Sequence, residues 1–232
     1  MKIGILQCGH TPEAVAADHG DFDQMFMRLL GGHGFEFTTY NVVDMAFPAG
    51  PDAADGWLIT GSRHGAYEDH AFIAPLSDLI RDIAAQKRPM VGICFGHQII
   101  AQALGGKVEK YSGGWSIGRE EYAFEGMGQI SLNAWHQDQV ITAPKGARTI
   151  STSPFCEHAA LIYGQEIFTV QAHPELSPTI MTDYIKAKRA DTIYPPEVIA
   201  RAIAENAKST DDARIATYIA EFFLMPGRQT HV

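Results

Sequence analysis

The stretch that most constrains this chain is Pro89-Met90-Val91-Gly92-Ile93-Cys94-Phe95-Gly96-His97-Gln98. Ahead of Cys94 stands an apolar run bounded by Pro89 and too short for a helix. After it, Ile99-Ile100-Ala101-Gln102-Ala103-Leu104 continues as a helix that Gly105-Gly106 stops. Between them, Gly92-x-Cys94-x-Gly96 has the spacing of a nucleophile elbow, with Cys where a hydrolase would carry Ser. A strand-to-helix turn this tight leaves no room for a Cβ on either side and holds its central residue at strained φ/ψ. It lifts the thiol above the sheet, onto a helix N-terminus whose partial positive charge favours thiolate. The alternative is a structural cysteine on a buried strand. The paired glycines, with strand before and helix after, favour the nucleophile.

A nucleophile needs a base. His173-Pro174-Glu175, near the end of another apolar run, supplies one. In extended backbone, residues i and i+2 point to the same side, so His173 faces the thiol while Glu175 comes behind the imidazole and fixes its tautomer. His-Pro-Glu alone is a weak signal and fits a surface turn. Together with the elbow it is strong.

Gly92 to Gln98, then Ala103-Leu104-Gly105-Gly106, then His173-Pro174-Glu175 resemble the class I (triad) glutamine amidotransferases, most closely the stand-alone, GMP-synthase-like branch, over roughly residues 1 to 185. The resemblance implies Cys94, His173 and Glu175 as the catalytic set. It also implies an oxyanion hole made by the backbone N–H groups of Gly61 and Phe95, Gly61 ending the strand-to-glycine turn Asp55 to Ser62. That turn runs on as Ser62-Arg63-His64-Gly65, so which amide joins that of Phe95 stays open. Trp135-His136-Gln137-Asp138 resembles the family's Ser-His-x-Asp segment along the substrate glutamine, with Trp135 in place of Ser. Gln98, His136 and Asp138 are thus candidate substrate-binding residues. Gln98 and Asp138 either pair with the charged ends of a γ-glutamyl group or make structural hydrogen bonds, and His136 reads as a loop histidine before a second base.

Composition bounds the rest. With 232 residues, 46% hydrophobic, the chain can bury a core. The net charge of −9 disfavours nucleic acid and acidic membranes. Three widely spaced cysteines, Cys8, Cys94 and Cys156, argue for a reducing, cytoplasmic setting. No apolar run approaches the roughly 20 residues of a membrane helix, and Met1 to Leu6 reads as a first strand, not a signal peptide. The ten histidines are scattered without a tight His/Cys/Asp spacing, so neither metal nor cofactor is expected.

Ile3–Gln7, Phe35–Tyr40 and the run from Asp55 read as strands, and Phe22–Leu30 and Ala71–Lys87 as helices. Cys8–Asp21 reads as a loop. Short antiparallel strands fall within Lys107–Phe124, a hairpin joins Ala159–Tyr163 to Glu166–Ala172, and Ser177-Pro178 opens a helix ending near Ala190. The alternation predicts a flavodoxin-like three-layer α/β sandwich with a largely parallel central sheet. Residues 1–190 form the amidotransferase domain. Residues 191–232 form a C-terminal helical extension of the same domain, with helices at Val198–Ala207 and Ala213–Leu224 and frayed last residues.

Three functions fit. The first is a glutaminase that hydrolyses the glutamine side-chain amide through a Cys thioester, giving glutamate and ammonia for a separate synthetase partner. The second is a γ-glutamyl peptidase using the same triad, and the third a non-catalytic amidotransferase-like binding protein. Ser112-Gly113-Gly114 lacks the Val-Asp-Ser that continues the pyrophosphatase loop of an ATP-using synthetase, so this chain does not make GMP by itself.

Overall fold

The fold is given by a computed structural model that describes residues 1–225; the expected fraying of the last residues lies outside the described residues. The chain opens β1 (Lys2–Leu6), α1 (Glu13–His19), α2 (Phe22–Leu29), β2 (Glu36–Tyr40), β3 (Gly56–Ile59), α3 (Ile73–Ala85), β4 (Met90–Ile93) and α4 (Phe95–Ala103). It continues β5 (Lys107–Lys110), β6 (Ser116–Phe124), β7 (Gly128–His136), β8 (Asp138–Thr142), β9 (Ala147–Thr152), β10 (Ala160–Tyr163) and β11 (Ile167–Val170). Three helices follow: α5 (Pro178–Lys188), α6 (Pro196–Glu205) and α7 (Asp212–Leu224).

Among the described residues, nine strands form one sheet in the order β2-β1-β3-β4-β11-β10-β9-β6-β7, and β5 and β8 pair separately. The stretch from β2 to β11 is parallel, and the remaining neighbours are antiparallel. Strands β3, β4 and β11 are buried at every residue, as in a sheet covered on both faces, which is why they read as continuous apolar runs. The parallel half is the one legible in the sequence. The antiparallel half is longer than the short strands expected there, because β6 and β7 pair over nine residues each.

Two local readings change. The expected loop Cys8–Asp21 contains α1, an alanine-rich turn pair that begins after Pro12 and buries Val15. It is tied to α5 by His19 Nε2 and Asp183 Oδ2 at 2.9 Å. His136 closes strand β7 and is not a loop residue. Helix α2 starts as expected at Asp21, which closes a capping box with Gln24.

The last helices are packed on the sheet. A Cβ at Gly118 (φ 92°) of β6 would sit 2.8 Å from the backbone of Ala202, so glycine lets α6 lie flat on that strand. Helix α7 buries Ile215, Ile219, Phe222 and Phe223 in the same apolar cluster as Ile3, Val91 and Phe168. Each fully buried side chain of this size contributes about 1.5–3 kcal/mol. Among the described residues, no helix is long and apolar enough to cross a membrane.

Candidate active site

Cys94 joins β4 to α4 with φ 52° and ψ −103°, a conformation that a residue with a Cβ adopts only under strain of about 1–3 kcal/mol. The surroundings enforce it. Cys94 N–H donates to Val170 O (2.9 Å), and Gln98 N–H donates to Cys94 O (3.0 Å). The glycines are steric necessities: a Cβ on Gly92 would lie 2.6 Å from the backbone of Gly96, and a Cβ on Gly96 2.2 Å from Ile59 O. The elbow therefore packs directly on the end of β3.

His173 and Glu175 follow β11. His173 N–H donates to Asn133 O of β7 (2.8 Å), and the Asn133 amide donates to Leu176 O (2.7 Å), which pins the segment at both ends. His173 Nδ1 lies 2.6 Å from Glu175 Oε1, and the Glu175 side chain is wholly buried. Burial works against a charged His173, but the negative charge of Cys94 and Glu175 and the hydrogen bonds to both hold its pKa well above the usual histidine range. The bond to Glu175 leaves Nε2 as the nitrogen free to exchange protons with the thiol.

One further side chain reaches the sulfur, and the sequence reading missed it. Gln171 Nε2 donates to Cys94 Sγ at 3.6 Å and its Oε1 accepts from Gln98 Nε2 at 3.1 Å. Its signal was available: Gln171 lies two residues before His173 in extended backbone and so points to the same side. Gln98, a candidate for the substrate or for structural hydrogen bonds, gives its amide N–H groups to Gln171 and to Asp138 O (2.8 Å). It thereby orients Gln171.

Gly61 lies close to both His173 and Cys94. A Cβ there would lie 3.0 Å from His173 Cε1 and 4.0 Å from Cys94 Cβ, so this backbone faces both side chains. Phe95 is the first residue of α4, whose N–H has no carbonyl to meet within its own helix. The Asp138 carboxylate accepts from Tyr67 O–H (3.2 Å), and burial raises its pKa. His136 Nδ1 lies 3.2 Å from Asp138 O, so the proton is on Nδ1 and Nε2 is left as an acceptor.

Burial, and then the positive charge of His173, lower the pKa of His136 to about 3. In His97, on α4, burial has the same effect, to about 3. Folded, both stay neutral where an unfolded histidine, with a pKa of about 6.5, takes up a proton. Each therefore supports stability that is present above about pH 6.5 and lost as pH falls toward the folded value. His97→Gln should flatten the pH dependence of unfolding free energy near pH 5 by about 1.4 kcal/mol per pH unit, one proton's worth. Denaturant melts of the variant and the parent chain at pH 5 to 7 read this slope, and parallel slopes would refute it.

The fold is shared with solved proteins: a glutamine amidotransferase from Thermotoga maritima (TM-score 0.75, 19% identity, 99% of each chain) and one from Methylobacillus flagellatus (TM-score 0.73, 20% identity, 96% of this chain and 94% of that one). In sequence the chain is similar to gamma-glutamyl peptidase 2 of Arabidopsis thaliana, 26% identical over 99% of this chain and 98% of that protein. Gamma-glutamyl peptidase 4 of the same plant is 30% identical over 86% of this chain and 84% of its own length. The glutamine-hydrolysing GMP synthase of Bacteroides fragilis is 31% identical over 67% of this chain, but only 32% of that enzyme is covered. The family model for glutamine amidotransferase class-I matches residues 22–190. That match takes in the elbow, the His173 segment and most of the sheet, and the chain belongs to the class-I glutamine amidotransferase family.

Proposed function

We propose that this chain hydrolyses γ-glutamyl amide bonds through a Cys94 thioester, and that its substrates are small γ-glutamyl peptides. The Cys94 thiolate attacks the γ-carbonyl carbon, and the N–H groups of Phe95 and Gly61 hold the oxyanion. His173 gives its proton to the departing nitrogen. It then takes one from the water that attacks the thioester, releasing glutamate and restoring the Cys94 thiolate beside a protonated His173. Glu175 orients His173 and supports its positive charge, and Gln171, braced by Gln98, fixes the sulfur before attack. Asp138 and His136, with an acidic oxygen and a neutral acceptor, are the groups available to the α-amino end of the substrate.

The observation that carries the peptide reading is the end-to-end likeness to proteins named as gamma-glutamyl peptidases, which includes the C-terminal helices. The likeness to GMP synthase takes in only the amidotransferase-sized part. That partial likeness favours the second reading, a glutaminase delivering ammonia to a separate synthetase. Steady-state kinetics on the purified chain separate the two. The expected result is a kcat/KM for a γ-glutamyl dipeptide more than about tenfold above that for glutamine, equivalent to about 1.4 kcal/mol of transition-state binding. Glutamine turnover that equals or exceeds dipeptide turnover would favour the partnered glutaminase. Turnover of neither by a folded chain would point to a binding protein.

A further inference from the structure

We propose that His64, Glu68 and His70 form a binding site for a transition-metal dication of the Zn2+ type, on the segment that leads from β3 into α3. This is independent of the hydrolytic reading. One ligand atom from each of the three residues lies within 4.8 Å of the others. Both imidazoles converge on one carboxylate oxygen: His70 Nε2 is 2.8 Å from Glu68 Oε2, and His64 Nδ1 is 3.8 Å from the same atom. In a tetrahedral site with bonds of about 2.0–2.1 Å, ligand atoms stand about 3.3 Å apart. The two observed separations bracket that value, so small side-chain rotations close the site.

The backbone is already set for this. Glu68 N–H donates to Gly65 O (3.0 Å) and Ile73 N–H to His70 O (3.0 Å), so turns bring the three residues round. Ala66 is buried between them, and Tyr67 is anchored on Asp138. Beneath the cluster, the ring of Phe72 lies 5.7 Å from that of His64 and 6.2 Å from that of His70, which limits how far either imidazole can turn away. The two imidazole rings are themselves only 4.0 Å apart.

The donor set chooses the class of ion. Two imidazoles and one carboxylate suit Zn2+, Co2+, Ni2+ or Cu2+, whereas Mg2+ and Ca2+ require oxygen ligands. Three protein ligands leave a position for water, and the cluster opens to solvent through Glu68 and His70. Phe72 also packs on Phe95, the residue after Cys94, at 6.0 Å between rings. An ion held here ties the start of α3 to the loop beginning at Gly61.

The spacing His64-x-x-x-Glu68-x-His70 is not a common metal motif, which is why no metal is expected from the sequence. The test is calorimetric titration of the untagged, chelator-treated chain with Zn2+ in a Cys94→Ala background, which removes the thiol as a competing ligand. One ion per chain is expected, with no heat from Mg2+. His64→Ala, His70→Ala and Glu68→Gln should each weaken Zn2+ binding by at least about tenfold while leaving the far-UV circular dichroism unchanged. Absence of stoichiometric Zn2+ binding, or unchanged affinity in all three variants, would show the cluster to be a hydrogen-bonded surface group only.

Discussion

Replacing Cys94 with alanine is expected to abolish turnover, by about ten-thousand-fold or more, while the chain keeps its fold. The loss follows from chemistry: without the sulfur no thioester forms, and the remaining donors only bind. Cys94→Ser should be nearly as inactive, because the site is fitted to a thiolate and a serine hydroxyl is a far weaker acid and nucleophile. Iodoacetamide should label Cys94 before Cys8 or Cys156. All three are buried, but burial raises the pKa of Cys156 to about 12 and that of Cys8 still further, whereas Cys94 lies at a helix N-terminus beside His173. Stability provides a second reading of the same residue. With φ at 52° and ψ at −103°, Cys94 stores backbone strain that glycine does not feel. Cys94→Gly should therefore be more stable than Cys94→Ala by about 1 kcal/mol, even after glycine's greater unfolded-state entropy. Equal activity of Cys94→Ser and the parent chain would remove Cys94 from the mechanism. A Cys94→Gly variant no more stable than Cys94→Ala would remove the strain.

The elbow was legible because its determinants are local. Gly92 and Gly96 are forced by contacts within the strand, turn and helix themselves and with the adjoining β3, and the helix that follows announces itself by its apolar run. The His173–Glu175 pair was legible because alternation in an extended segment is a property of the backbone alone. What the sequence concealed depends on distant partners. Strand β7 alternates Ile130-Ser131-Leu132-Asn133-Ala134 as a half-exposed strand would, yet Ser131 and Asn133 are buried as well. They are tolerated because the Arg119 guanidinium donates to Ser131 Oγ and the Asn133 amide donates to Leu176 O, partners that only the fold supplies. For Gln98 the sequence leaves substrate contact and structural hydrogen bonding both open, and only the fold brings Gln171 and Asp138 to its amide. Helix α7 reads from the sequence as an extension of the same domain. Which core it joins was hidden: its phenylalanines pack around Phe168, a relation no local pattern records.

The asymmetry between His173 and Glu175 gives the sharpest test of their roles. His173→Ala should lower kcat/KM by about a hundred- to ten-thousand-fold, since the same nitrogen both protonates the leaving group and activates water. Glu175→Gln should fall between this variant and the parent chain. A neutral amide can still accept the Nδ1–H bond and hold the ring, but it no longer stabilises the imidazolium. The pH profile separates loss of charge from loss of position. Glu175 and Cys94 raise the pKa of His173 against the cost of burial, so removing the Glu175 charge must lower it. Protonation of the leaving nitrogen requires the imidazolium, so the alkaline limb of kcat/KM should move to lower pH in Glu175→Gln, with the optimum rate reduced. If Glu175 merely braced the loop, the rate would fall with the limb unmoved. If His173→Ala kept the parent activity, neither residue would belong to the reaction, and the 2.6 Å contact between them would be structural alone.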